Sequence, residues 1–171
     1  MKPQIRIINA DITTLSVEAI VNAANPTLYG GGGVDGAIHD AAGPNLLHAC
    51  KNIRKSQYPQ GLPTGQAVIT PGFNLSAKHI IHTVGPVYHK DDLALLADCY
   101  RNSLKLAEDH NCKSIAFPSI STGAYGVPIT QAVKIVKKVI DSFESQHIKE
   151  IILVLHTVND LEIYLQTFKD G

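Results

Sequence analysis

Ala19-Ile20-Val21-Asn22-Ala23-Ala24-Asn25-Pro26-Thr27-Leu28-Tyr29-Gly30-Gly31-Gly32-Gly33-Val34-Asp35-Gly36-Ala37-Ile38-His39 is the stretch from which the fold is read. Ala19 to Ala23 is a short apolar and β-branched run, as a strand requires. Four successive glycines follow, and a helical register starts at Val34. Glycine in such number carries an entropic cost, which is explained if something presses close to the backbone there. A strand, a glycine loop and a helix N-terminus are together the arrangement that cradles a phosphate, because unpaired N–H groups and the positive end of the helix dipole face the anion. The alternative is a merely flexible loop.

The same punctuation recurs on both sides. Ile5 to Asn9, Gln66 to Thr70, His79 to Val84, Ser114 to Phe117 and Glu150 to Leu155 read as further strands, giving six in all. Leu93, Leu96, Ala97, Tyr100, Leu104 and Ala107 keep helical spacing behind Asp91 and Asp92, and Ile129, Ala132, Val133, Val136, Val139, Ile140 and Phe143 do the same. Val34 to Ala42, Leu46 to Gln57 and Leu161 to Phe168 complete the helices. Such alternation predicts a layered α/β domain. Lys134, Lys137 and Lys138 lie opposite an apolar stripe and read as a solvated helix face.

A second loop repeats the logic of the first. After Phe117 the chain runs Pro118-Ser119-Ile120-Ser121-Thr122-Gly123-Ala124-Tyr125-Gly126-Val127-Pro128 and enters a helix near Pro128. Small residues, backbone N–H groups, two hydroxyls and a helix start could clamp a diphosphate from the side opposite the first loop, and the Tyr125 ring could cover a sugar. Asp11 follows the first strand, where it is either the N-cap of a short helix or a carboxylate that accepts a nucleobase amino group.

Other chemistries find no support. Gly31, Gly33 and Gly36 satisfy G-x-G-x-x-G, but no acidic residue stands between Asp40 and Asp91 to hold a ribose, and no P-loop is present. His79 and His82 point to opposite faces of a strand and cannot share a metal. No H-E-x-x-H, carboxylate cluster or G-x-S-x-G occurs, so no metal, cofactor or serine nucleophile is expected.

Composition sets the remaining bounds. The chain has 171 residues, enough for a single domain over 1–171. Charged residues make up 18% and apolar residues 44%, which excludes a disordered chain. Lys plus Arg is 15 and Asp plus Glu is 15, so no net field draws it to nucleic acid. Cys50, Cys99 and Cys112 fit no disulfide or zinc spacing and suit free thiols in the core or at the surface, away from both loops, in a reducing compartment. The N-terminus meets Gln4, Arg6, Asn9 and Asp11 before a signal core could form. The expectation is a cytoplasmic protein, a monomer, with no membrane partner.

Read in order, D-I-T (11–13), V-N-A-A-N-P (21–26), G-G-G-G-V-D-G-A-I-H (30–39), A-A-G-P (41–44), P-T-G-Q-A (63–67), H-T-V-G-P (82–86) and S-T-G-x-Y-G (121–126) resemble the macrodomain family, specifically its MacroD-type ADP-ribose hydrolases. The resemblance implies a three-layer α/β/α sandwich on a mixed, six-stranded sheet, with ADP-ribose in a cleft across the strand ends. Carried over, Asp11 with the Ile12 backbone would bind adenine. Gly33, Val34 and the loop Ser121, Thr122, Gly123, Ala124 and Tyr125 would hold the diphosphate and distal ribose. Asn25 would position that ribose, and Asp35 would orient or deprotonate water. The implied reactions release ADP-ribose from acidic side chains of mono-ADP-ribosylated proteins and remove acetyl from O-acetyl-ADP-ribose. Nucleic acid would enter only as an ADP-ribosylated end, and a non-catalytic reader of ADP-ribose is the alternative.

Several positions depart from the family's pattern. Ala10 replaces a glycine, Asp40 replaces a basic residue and adds negative charge near the anion site, and His156-Thr157 replaces an aromatic residue and an acid near the adenine end. A helix N-terminus favours ionised Asp35 and makes it a weaker base, which a bound diphosphate would oppose. His39, one turn later, could hydrogen-bond Asp35, either as packing support or as a participant.

Overall fold

The computed structural model describes residues 1–170. Six strands, β1 (Gln4–Asn9), β2 (Ala19–Ala24), β3 (Ala67–Pro71), β4 (His79–Val84), β5 (Ser114–Phe117) and β6 (Glu150–Leu155), form one sheet in the order β1-β6-β5-β2-β4-β3. Every pairing is parallel except that of β3 with β4, so the sheet is mixed. Five helices complete the fold: α1 (Gly33–Ala42), α2 (Pro44–Ser56), α3 (Ala94–Asp109), α4 (Ile129–Ser142) and α5 (Val158–Lys169).

Strand alternation sorts the core into two layers. Ala19, Val21, Ile81, Ile115, Phe117, Ile151 and Leu153 pack with the apolar faces of α3, α4 and α5. Their sequence neighbours Ile20, Ile80, Ala116, Ile152 and Val154 pack on the other side with Ile38, Leu46 and Cys50 of α1 and α2. Both sheet faces are therefore covered, as parallel strands require, and the result is the expected three-layer α/β/α sandwich.

Differences from the sequence reading are at element ends. The last helix begins at Val158 rather than Leu161, because the Thr157 hydroxyl accepts the Asp160 N–H at 3.1 Å and caps it. The second begins at Pro44, whose fixed φ and missing N–H suit a first helical position. Gln66 does not join β3, since its N–H donates to Pro63 O in a turn.

All three cysteines are buried and free. Burial pushes the Cys50 thiol up to about 12, with the Asp35 charge adding to it, and Cys99 up to about 11. Cys50 packs in the same core layer as Ile38 of α1 and Leu28 of the first loop.

Strand β2 is central and carries the glycine loop at its end. Ile20 is fully buried on the face under α1 and α2. Ile20→Ala should destabilise the domain by about 2–5 kcal/mol through lost burial plus a residual cavity. Urea unfolding should show this as a lower midpoint at unchanged slope.

Candidate functional site

Five parallel strands send their C-terminal loops to one edge of the sheet, where open α/β sheets form ligand crevices. The sequence-predicted residues gather there. Asp11 follows β1, Asn25 to Gly32 follow β2, Gly85 follows β4, Ser121 to Tyr125 follow β5, and His156 follows β6. Three strand spacings separate β1 from β2, about 14 Å, so Asp11 and Asp35 stand at opposite ends of an elongated site.

The middle of the site lies between β2 and β5, which are neighbours. From β2 the chain enters α1 on one face, and from β5 it enters α4 on the other. Neither helix has a side-chain N-cap: Gly32 occupies that position in α1 and Pro128 in α4. Their first N–H groups are left for an external acceptor.

Both loops are held in demanding backbone conformations. Leu28 (φ 62°) and Ser121 (φ 67°) are non-glycine residues in the left-handed region, and both are buried. Leu28 N–H donates to the backbone Asn25 O, and the side-chain Asn25 Oδ1 accepts from Thr27 N–H and hydroxyl. Asn25 Nδ2 donates to Gly30 O at 2.9 Å, leaving its second hydrogen free. Arg54 donates to Thr27 O, Tyr58 O and Pro59 O, and so ties this loop to the end of α2.

In the second loop, Gly126 N–H donates to Gly123 O and Val127 N–H to Ser121 O. Among the described residues, the amides from Thr122 to Tyr125 have no protein acceptor. The two hydroxyls expected to face outward turn inward. Thr122 Oγ1 donates to Ser119, and the buried Ser121 Oγ lies against Gly85, where a Cβ would come within 2.1 Å of it. A Cβ on Gly32, Gly33 or Gly123 would meet nothing within 4 Å, so these glycines border open space.

Gly36 has a different reason to be glycine. A Cβ there would lie 2.3 Å from Gly31 O, so the glycine loop rests directly on the first turn of α1. Beneath Gly31, Asn25 Nδ2 and Asp35 Oδ2 converge, 3.2 and 3.3 Å from where its Cβ would be. Asp35 is 4% exposed. Its Oδ1 accepts from Asn22 Nδ2 at 2.8 Å.

Burial raises the Asp35 carboxyl above the usual range, opposed in part by the Asn22 hydrogen bond and the His39 charge. This overturns the expectation of a weakened base. The helix dipole favours the ionised form, and desolvation of the buried carboxyl acts against it. His39 Nε2 stands 3.6 Å from Asp35 Oδ1, beyond hydrogen-bond length. Burial raises the Tyr125 hydroxyl, and the charges of Asp35 and Asp91 add to that rise.

At the far end Asp11 is exposed and caps the turn Ile12–Thr14, with Oδ1 accepting from Thr13 N–H at 3.0 Å and Thr13 Oγ1 at 2.7 Å. These bonds lower its pKa, keeping it an anionic acceptor with Oδ2 free. Asp40 is exposed in the last turn of α1, about 10 Å along the axis from the helix start, so its charge is remote from the N-terminal N–H groups. Among the described residues no group of side chains could hold a metal.

Sequence reasoning missed the polar residues behind Asp35. Asn22 and His82 are fully buried partners across β2 and β4, with Asn22 Nδ2 3.1 Å from His82 Nδ1, and His82 Nε2 is 3.0 Å from Thr70 Oγ1 on β3. The signal was a polar residue inside each apolar strand, on the parity of Ile20 and Ile80. Burial, then His39, depresses His82 to about 3.

The Macro domain family model matches residues 21–136. A Macro domain-containing protein of Chlorobaculum tepidum is 50% identical over 172 residues, covering 98% of this chain and 96% of that protein. An O-acetyl-ADP-ribose deacetylase of Escherichia fergusonii is 54% identical over 151 residues, covering 86% and 84%. Among solved structures, an Oceanobacillus iheyensis macrodomain mutant with ADPR superposes with a TM-score of 0.92 at 46% identity, covering 96% of this chain and 91% of that one.

His82 sets a pH dependence of stability. The unfolded chain protonates this residue below about pH 6.5, whereas the folded chain resists to about 3. Stability should therefore fall as pH drops through that window, by up to about 1.4 kcal/mol per pH unit from this group. Asp35, raised in the fold, offsets part of the loss in the acid range. Denaturant unfolding between about pH 7 and about pH 5 should show the decline while the ¹⁵N signals of the His82 ring stay fixed.

Proposed function

This chain belongs to the macrodomain family, and from that premise we propose that it hydrolyses ester bonds to ADP-ribose, deacetylating O-acetyl-ADP-ribose and releasing ADP-ribose from acidic side chains of mono-ADP-ribosylated proteins. The observation that carries the reading is the convergence of Asp35 Oδ2 and Asn25 Nδ2 beneath Gly31, between two helix starts without side-chain caps.

Each part of the site has a role in this reading. Asp11, with the Ile12 backbone, takes the adenine amino group at one end. The diphosphate lies between Gly33 and Val34 of α1 and the Ser121–Tyr125 loop, meeting backbone donors that need no reordering. Asn25 uses its free amide hydrogen on the distal ribose. Asp35 accepts a proton from the attacking water or orients it, and its raised pKa makes it a better base than an exposed aspartate. The diphosphate, a nearby negative charge, raises it further.

The bond follows from what the site offers. Water that gives its proton to Asp35 adds to the ester carbonyl, the bond from that carbon to the ribose oxygen breaks, and the proton returns from Asp35 to the departing oxygen, so no separate acid is required. The O-glycosidic link to serine and the N-glycosidic link to arginine offer no such carbonyl, and breaking them needs an acid placed at the departing atom, which neither loop supplies.

Asp35→Ala should retain ADP-ribose binding and lose roughly 10² to 10⁴ in ester turnover. Asn25→Ala should also lose rate through misalignment of the ribose with water. The decisive assay follows O-acetyl-ADP-ribose deacetylation beside release from glutamate-, serine- and arginine-modified proteins. Unchanged ester turnover in Asp35→Ala removes Asp35 from the mechanism, and binding without turnover in the unaltered chain makes this protein a reader.

Gly123→Glu should fold normally, because its side chain enters open space. It should weaken binding strongly by placing a negative charge against the diphosphate. Calorimetry should show micromolar-scale, EDTA-insensitive binding for the unaltered chain and little heat for the variant at roughly 1 mM ligand.

A further inference from the structure

Behind Asp35 lies a chain of polar groups that the proposed reaction does not by itself explain. Asn22 and His82 are 0% exposed and Thr70 is 3% exposed. A buried polar chain across three strands is costly unless each member is satisfied, so its direction can be worked out.

Asp35 Oδ1 is an acceptor when ionised, and the group facing it at 2.8 Å is the Asn22 amide nitrogen. The same nitrogen faces His82 Nδ1 at 3.1 Å. With one amide hydrogen for each, Nδ1 must be unprotonated. A neutral imidazole then carries its hydrogen on Nε2 and donates it to Thr70 Oγ1 at 3.0 Å. Turning the Asn22 amide over would press its oxygen against the Asp35 carboxylate. A proton on Nδ1 would face an amide N–H. The observed orientation leaves Asn22 Oδ1 buried without a partner, so the two acceptors outweigh an unsatisfied carbonyl.

We propose that His82, held as its Nε2–H tautomer by Thr70, is a positioning residue for the ester hydrolysis: through the Asn22 amide it keeps Asp35 Oδ1 occupied and leaves Oδ2 to face the cleft. The proposal rests on the reading of Asp35 as the group that handles water. It also makes a spectroscopic claim that does not need turnover. Thr70, two strands away from β2, acts on the reacting carboxylate only through this chain.

His39, on its own helix, stands 3.6 Å from Asp35, and Cys50 on α2 and Tyr125 on the β5–α4 loop feel the Asp35 charge. None of these is altered by substitution at Thr70, which isolates the chain as the cause of any change in Asp35.

The test compares the full chain with Thr70→Val, which keeps the shape and removes the acceptor, and with Thr70→Ser, which restores it. In ¹⁵N-histidine NMR of the ligand-free protein, His82 should be purely Nε2–H in the unaltered chain and in Thr70→Ser, and mixed in Thr70→Val. The Asp35 carboxyl, followed by ¹³C NMR, should titrate at higher pH in Thr70→Val because it loses part of its Asn22 donor. With O-acetyl-ADP-ribose, Thr70→Val should lower kcat roughly tenfold, leave KM within about twofold and move the acid limb of the kcat profile to higher pH, and Thr70→Ser should reverse all three. An unchanged tautomer or Asp35 midpoint in Thr70→Val overturns the proposal. So does a changed midpoint with unchanged kcat. Failure of the functional reading is recognised separately, by absence of hydrolysis in the unaltered chain, and would remove the positioning role with it.

Discussion

A carboxylate buried under a helix is the constraint from which the rest of this structure follows. Asp35 sits in the first turn of α1 with its side chain turned into the sheet, where desolvation opposes its charge. It can be ionised there only if donors are supplied from below. Asn22 supplies one from the central strand, which in turn requires an acceptor on β4 and a further partner on β3. Polar residues inside otherwise apolar strands are thus explained by a single group above them. Burial thereby raises the pKa of Asp35, and the hydrogen bond beneath it opposes that rise.

The sheet brings the remaining parts within reach. Parallel pairing delivers five strand ends to one edge, and placing α1 and α4 on opposite faces makes their N-termini approach each other around the β2–β5 seam. The loops that join strand to helix cannot relax independently. Leu28 and Ser121 each hold a left-handed conformation because their side chains are buried, and Gly36 and Gly85 permit contacts that a methyl group would block. Backbone donors fixed in this way meet a ligand without further ordering, which is where preorganised sites gain their affinity.

Local chemistry was legible in the sequence and long-range chemistry was not. All six strands were read from short β-branched runs, and the glycine loop with its helix was read from composition and register alone. The start of α5 was misplaced, because capping by Thr157 precedes the apolar stripe. The direction of the Asp35 shift is not legible locally for a related reason: the helix dipole can be inferred from neighbouring residues, but burial depends on what packs from elsewhere in the chain. Asn22, His82 and Thr70 are separated by 60 and 12 positions along the chain. Their contact is a property of strand order, to which no local pattern refers. Recognising the order of motifs assigned Asn25 and Asp35 to one site, and the structure brings them together under Gly31.

The three cysteines have a consequence for how this protein can be observed. Each is fully buried, and burial holds each thiol above its ordinary range. The reactive thiolate is scarce and inaccessible in the folded chain. The unaltered protein is therefore a silent background for thiol-directed labelling. A single cysteine introduced on an exposed surface would take up a fluorophore or spin label selectively, without prior replacement of core residues and the packing loss that replacement brings.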